Sequence, residues 1–340
     1  MKRDWRRVSA SVAVTALATM IWDARAQATD FFKDKQLKLI VGSPAGAGFD
    51  FFGRLVARHL SDHLPGNPNI VVVNMPGAGS LRAVQSIRAQ PADGTYIVLF
   101  NPGQVLNSVL EPGKVMVNFT KDVSFLGSGT ADARVCYSWA ATSKIKTLHD
   151  LLSGKDTLTT GHAGTSAATY IDAAILKNLF KAPVKQVVGY SGSAAQRLAV
   201  ERGELTGDCG SWGSVPRDWI RDKKINLFVR ISKVASPELA SLPFIGDVGN
   251  EDQKRLIRLI TSYNDMYFPF IVHKGVPAGR LKVLREAFWN TVNSKPVLAA
   301  AERADRPVIE PISGDDLDQL VAELYQTPPE LVAKASQAVK

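Results

Sequence analysis

Strand-like apolar runs that end in Gly/Ser/Pro/Asn loops, with each loop running straight into a helical pattern, recur along this chain. The run 37–41 meets the loop 42–50 and a helical stretch over 51–64. The run 70–73 ends at Pro76-Gly-Ala-Gly79 before a helical stretch over 80–88, and the run 95–100 ends at Asn101-Pro-Gly103. After a strand at 135–141 and a short helix at 147–152, the design repeats. The run 157–160 enters Gly161-His-Ala-Gly-Thr-Ser166 and a helix over 167–180, and 184–188 enters Tyr190-Ser-Gly-Ser193 and a helix over 194–202. Further strands fall at 205–209, 225–231 and 266–273, with helices over 252–260, 277–293 and 315–324. This alternation predicts a mostly parallel α/β architecture. At 340 residues it predicts two domains, and the absence of an internal repeat excludes solenoids.

In open α/β sheets, ligands bind beyond the carboxyl ends of the strands. Loops that open helices there present backbone amides and positive dipole ends, which favour anions. The same glycines and serines also serve as ordinary turns and helix caps, so composition alone leaves both readings open. Charge narrows the ligand class. The net charge is +9, and three of those charges lie within the first 26 residues. The remaining six, spread without a basic stripe, suit small anions and exclude a nucleic-acid-coating surface.

Residues 1–7 are basic and 8–22 are apolar, interrupted by Ser9, Ser11, Thr15 and Thr19. Ala24-Arg25-Ala26 follows, with Ala26-Gln27-Ala28 as an alternative cut site. This reads as a cleavable secretory signal, 1–26. The competing reading is a membrane anchor, for which the apolar stretch falls short of the ~20 residues that span a bilayer.

Export places Cys136 and Cys209 in an oxidising compartment. They form either one disulfide or two buried thiols. Motifs for catalysis are incomplete. Gly46-Ala-Gly48-Phe-Asp-Phe51 has Phe51 where a dinucleotide fingerprint needs its third glycine, and Gly189-Tyr-Ser191-Gly-Ser193 lacks the final glycine of a nucleophile elbow. His59 and His63 are helix neighbours without the glutamate of a metalloprotease helix, so no metal site is expected. His162 sits in a loop, either solvated or touching ligand.

Ser43-Pro-Ala-Gly-Ala-Gly-Phe-Asp50 resembles the Pro-x-Gly-Gly-x-Asp signature loop of Bug-type solute receptors, the periplasmic components of tripartite tricarboxylate transporters. Asn74-Met-Pro-Gly-Ala-Gly79 is similar to their Asn-x-Pro-Gly-Ala-Gly turn. Asp93-Gly94, Gly161-His-Ala-Gly164, Tyr190-Ser-Gly-Ser193 and Gly203-Glu-Leu205 follow in the family's order, over essentially the whole chain after the signal. The resemblance implies a type II periplasmic-binding-protein fold: two α/β lobes with a ligand cleft between them, no catalysis and no cofactor. Lobe 1 would comprise 29–138 and 264–340, and lobe 2 would comprise 139–263. Three departures stand out: Phe49 replaces a small polar residue, Thr206 and Gly210 stand where aspartates are common, and Asn101-Pro-Gly103 lacks the usual Ser-Asn pair. Asp208 and Ser211 lie near the altered segment. Phe49 and Trp212 either pack in the core or favour an apolar ligand.

The expected function is therefore capture of a small carboxylate in the periplasm and its delivery, by a monomeric receptor, to membrane permease subunits. Ala45, Gly46, Ala47 and Gly48 would let the backbone approach the carboxylate. Phe49 and Asn101 would border it, and Asp50 would cap the loop or meet a ligand donor. Gly164, Thr165, Ser166, Ser191 and Ser193 would contribute from lobe 2, with Tyr190 as a wall. Two rivals compete: a same-fold receptor feeding a sensor kinase, and, ranked below it, an α/β hydrolase or transferase.

Overall fold

The computed structural model describes residues 30–234, 236–304 and 306–340, so the signal segment read at 1–26 lies outside the described residues. In chain order the first strands are β1 (Gln36–Val41), β2 (Asn69–Asn74), β3 (Tyr96–Leu99), β4 (Val123–Thr130), β5 (Arg134–Trp139) and β6 (Leu158–His162). They are followed by β7 (Val184–Val188), β8 (Gly207–Ser211), β9 (Ile225–Arg230), β10 (Tyr267–His273) and β11 (Ile312–Ser313). One sheet has the order β11-β4-β10-β3-β1-β2; β8-β5-β9 and β6-β7 form two smaller sheets. Thr206 joins those two, donating its N–H to Thr159 O at 3.1 Å and accepting the Thr159 N–H on Oγ1 at 2.8 Å.

Among the described residues only the strand pairs β1-β2, β1-β3 and β6-β7 run parallel; β10 lies antiparallel between β3 and β4, and β5 is antiparallel to both neighbours. This corrects the mostly parallel expectation. The chain leaves the first sheet after β4 and returns to it as β10, so a returning strand fills the gap beside β3. No periodicity in the sequence marks β4, because all eight of its residues are buried and its Gly-Ser-Gly resembles a loop. Gly129 is there for packing: a Cβ would lie 2.2 Å from the Phe52 ring.

The helix Gly48–His63 forms because Phe52, Leu55, Val56 and Leu60 recur at helical spacing; Phe52, Val56 and Leu60 bury against the first sheet, and Leu55 packs with Val297 and Ala301. Phe52 stacks on Phe268, with ring centroids 4.4 Å apart. The second layer has its own core, in which Ile171, Leu176, Ile257 and Ile260 pack together. All of β5 from Arg134 lies in the second sheet, because its register pairs it with β8 and β9. The C-terminal helix Pro329–Ala338 packs Ala335 and Ala338 into the second layer's core rather than the first, anchored by Asn178 Nδ2 donating to Ala338 O at 2.8 Å.

The two layers are joined where the segment 131–133 runs beside Ser262–Met266; the Asp132 N–H donates to Asn264 O at 2.9 Å. A buried ionic cluster sits at this crossing. Arg134 donates to Asp132 Oδ2 at 2.6 Å and to Asp172 Oδ2 at 2.7 Å, and Tyr263 OH donates to Asp172 Oδ1 at 2.7 Å. Among the described residues no helix is long and apolar enough to cross a membrane.

Candidate functional site

A cleft of about 490 Å³ opens between the layers. The first layer contributes Ser43, Pro44, Ala47, Gly48 and Phe49 after β1, residues 76–80 after β2, and Asn101 after β3. The second layer contributes Ala163, Ala167, Ala168 and Thr169 after β6, residues 189–193 after β7, and Gln196, Arg197, Asp208, Gly210 and Ser211. The site thus lies at the carboxyl ends of strands, where the loop composition placed it.

The wall after β2 is conformationally demanding. Ala78, Gly79 and Ser80 have φ of 43°, 62° and 78°, a left-handed run that non-glycine residues seldom adopt. It persists because neighbours hold it. Ser80 Oγ donates to Gly42 O (2.8 Å) and accepts the Asn101 N–H (3.0 Å), while buried Gln104 donates to Gly79 O (2.8 Å). Gly42 must be glycine here, since a Cβ would lie 2.6 Å from Ser80 Cβ.

Two helices aim their N-termini at the cavity from opposite layers. The helix Gly48–His63 begins after Ala47, and Ser193–Glu201 begins after Gly192; neither N-cap side chain makes a capping bond. The first amides of a helix have no carbonyl one turn back, so both walls carry N–H donors and positive dipole ends toward the same space.

Of the residues expected at the site, Ala47, Gly48, Phe49, Asn101, Tyr190, Ser191 and Ser193 line the cleft. Ala45, Gly46, Asp50, Gly164, Thr165 and Ser166 do not line it. The buried carboxylate of Asp50 serves its own loop, accepting the Gly46 N–H at 2.8 Å, Asn74 Nδ2 at 2.8 Å and Arg54 Nε at 3.0 Å. Gly46 and Ala45 are exposed beyond that bond. The loop 164–166 packs across the layers: Asn107 Nδ2 donates to Ser166 O at 3.2 Å, and a Cβ on Gly79 would lie 3.3 Å from Ser166.

Phe49 borders the cleft with its ring edge-on to Tyr267 and Phe268, at 5.2 and 4.9 Å. Trp212 is buried behind the wall, with Nε1 donating to Glu238 at 2.9 Å. His162 is buried too. Its two ring nitrogens face Thr160 Oγ1 (2.8 Å) and Thr169 Oγ1 (3.1 Å), and burial pushes its pKa down to about 3. It is a neutral structural imidazole. Cys136 and Cys209 are register partners on β5 and β8 and are joined as a disulfide.

Sequence reasoning missed Arg134, Tyr137, Gln196, Arg197 and Tyr267 as wall residues, and assigned no role to Asp208. Charged residues inside otherwise apolar strand runs, Arg134 ahead of Val-Cys-Tyr and Asp208 beside Cys209, were the available signal. Arg134 stays charged: burial opposes it, but Asp172 and Asp132 outweigh that cost. Burial lifts Asp132 to about 6 against the pull of Arg134, and lifts Asp208 to about 8 although its carboxylate accepts the Cys209 N–H at 2.9 Å. Among the described residues, no group of three or more His, Cys, Asp or Glu is arranged to hold a metal ion.

No family model matches this chain. A UPF0065 protein of Agrobacterium vitis, from the ttuE–ttuC′ intergenic region, is 24% identical over 293 residues, 84% of this chain and 80% of that protein. A UPF0065 protein of Pseudomonas sp. strain P51 is 29% identical over 107 residues, 32% of this chain and 30% of that protein. Among solved structures, the periplasmic binding protein BugD superposes with a TM-score of 0.69 at 16% identity, over 88% of this chain and 97% of that one. MatC from Rhodopseudomonas palustris with bound malate gives 0.69 at 18% identity, over 87% and 99%. An R. palustris protein solved with adipate gives 0.69 at 17%, over 88% and 97%. The fold is that of the periplasmic binding proteins, and the resemblance to Bug-type receptors carried by residues 43–50 and 74–79 is supported.

Proposed function

We propose that this chain is a periplasmic, non-enzymatic receptor that closes two lobes on a small carboxylate and presents it to membrane permease subunits. One lobe is built on the six-stranded sheet; the other is built on β5–β9 and carries the C-terminal helix. The observation that carries the reading is the pair of uncapped helix N-termini, Gly48–His63 and Ser193–Glu201, meeting in one cleft from opposite layers. Such ends bind carboxylates without any cationic side chain. A carboxylate held by both also links the lobes, which gives ligand a differential affinity for the closed form.

Two further points support it. The solved relatives with malate and adipate carry carboxylates on the same fold. The imidazole nearest the cleft hydroxyls, His162, is held neutral between two threonines and at about 3 is too weak a base to activate them. Calorimetric titration of the protein with C4–C6 mono- and dicarboxylates tests the reading. Saturable binding to the unvaried chain, weakened in Gly48→Val, is expected; no heat from any carboxylate would sink it.

A further inference from the structure

The cleft has a second chemical character that its helix N-termini do not explain. Asp208 is 5% exposed yet lines the cavity. Among the described residues its only hydrogen bond is the one Oδ1 accepts from the Cys209 N–H. Its other oxygen has no hydrogen-bond partner among the described residues. Buried carboxyls in folded proteins are paired or hydrogen-bonded, because the desolvated group otherwise destabilises the fold. Here the second oxygen is not sealed in, and water or a ligand entering the cleft completes its bonding.

The surroundings say what kind of partner fits. Tyr137 lies opposite Asp208 in the β5–β8 register. Arg134 and Arg197 act on it with positive charge and Asp172 with negative, while the Tyr190 and Tyr137 hydroxyls feel its charge in turn. Neither arginine hydrogen-bonds to it among the described residues. Arg134 is engaged by Asp132 and Asp172, and Arg197 donates to Ser214 O at 2.8 Å. Asp132 and Asp172 already balance Arg134, and Asp208 is the one carboxyl group among the described residues that line the cleft. An ammonium placed there would meet an acid that forms no ion pair among the described residues and would take up its second oxygen.

We infer that Asp208 is a specificity-determining residue that receives a protonated amine, so the ligand of this cleft is an amino-carboxylate rather than an unsubstituted acid. The inference rests on the carboxylate reading above for the other end of the ligand. Burial keeps the proton on Asp208 in the empty cleft, so pairing with an ammonium expels it to solvent.

The test is calorimetric titration at pH 7 with matched pairs that differ only in the amine, succinate against aspartate and glutarate against glutamate, together with malate and 1,4-diaminobutane. A charge-assisted hydrogen bond predicts that the amino member of each pair binds about ten- to a hundredfold more tightly. Its binding heat should vary with buffer ionisation enthalpy in the sense of proton release. In Asp208→Asn, which retains the oxygen used by the Cys209 N–H, the affinity ratio should collapse to about one and the proton release should vanish. Equal or tighter binding of the unsubstituted acids, a preference for malate over aspartate, or a ratio unmoved by Asp208→Asn would overturn the inference while leaving the carboxylate receptor intact. Diamine binding that depends on Asp208, with no carboxylate bound, would keep the role of Asp208 and overturn the receptor reading instead. Silence across the whole panel overturns both.

Discussion

Asp50 Oδ2 accepts the backbone N–H of Gly46 at 2.8 Å, closing the loop after β1 on itself before the helix Gly48–His63 begins. The most conspicuous acid of the signature loop is therefore a brace, and the cleft wall it supports is made by the next residues, Ala47, Gly48 and Phe49.

Removing the brace should be felt as stability. Asp50→Ala strands the Gly46 N–H and the Asn74 amide, and is expected to lower unfolding free energy by about 1–3 kcal/mol. Burial raises the Asp50 pKa, but bonds from Arg54, Gly46 and Asn74 outweigh it and hold the group below its ordinary 3.8. Its contribution is thus present above that value and lost as pH falls through the lowered one. Urea melts from pH 7 down to pH 3 should show the unvaried chain and Asp50→Ala converging in acid; a constant gap would contradict the assignment.

Glycines two residues apart should behave differently. Gly46 has φ +79° and lies outside the cleft, so Gly46→Val strains the backbone by about 1–3 kcal/mol. Gly48 lines the cleft at the helix start, and Gly48→Val should cost about ten- to a hundredfold in carboxylate affinity by blocking the amides. Thermal melts and calorimetric titration of both variants separate the effects. Larger affinity loss in Gly46→Val than in Gly48→Val would relocate the site.

The disulfide Cys136–Cys209 spans 73 residues and is fully buried. Loop closure in the unfolded chain predicts that the double variant Cys136→Ala, Cys209→Ala loses roughly 2–5 kcal/mol. Thiol titration of denatured, unreduced protein should find none at these positions. Two reactive thiols would refute the bond.

Asp208 should leave a signature in stability as well as binding. Burial raises its folded pKa to about 8, above its unfolded value. Between the two values the folded chain holds a proton that the unfolded chain has released, so its contribution falls as pH rises. The melting temperature of Asp208→Asn relative to the unvaried chain should therefore climb from pH 5 to pH 8. Taking the difference removes the opposing trend of His162, whose folded pKa is lowered. A flat difference would show that the carboxyl ionises normally.

At the crossing between layers, Asp172→Ala leaves Arg134 short of one of its two acids in a site with almost no solvent access. A loss of about 3–5 kcal/mol is expected, against about 1 kcal/mol for Tyr263→Phe, which removes a single hydroxyl. Equilibrium denaturation of both variants checks the order.

Local chemistry made much of this molecule readable from residues alone. The strands 37–41, 70–73 and 184–188 declare themselves by short apolar runs closed by glycine and proline, and the helices beside them by apolar spacing. The loops 43–50 and 74–79 point to the fold through their resemblance to the Bug-type signature loops. What stayed illegible depends on distant partners. The strand β4 is buried on both faces and so carries no alternation, and the antiparallel return of β10 is decided by where the chain re-enters the first layer. Asp50 and Asp208 are both acids within two residues of a glycine in the sequence. Tertiary packing gave the first three donors from Gly46, Asn74 and Arg54, and left the second one backbone N–H and an open cavity. Residue type sets what a side chain can bind; only the folded surroundings decide whether that capacity is already used.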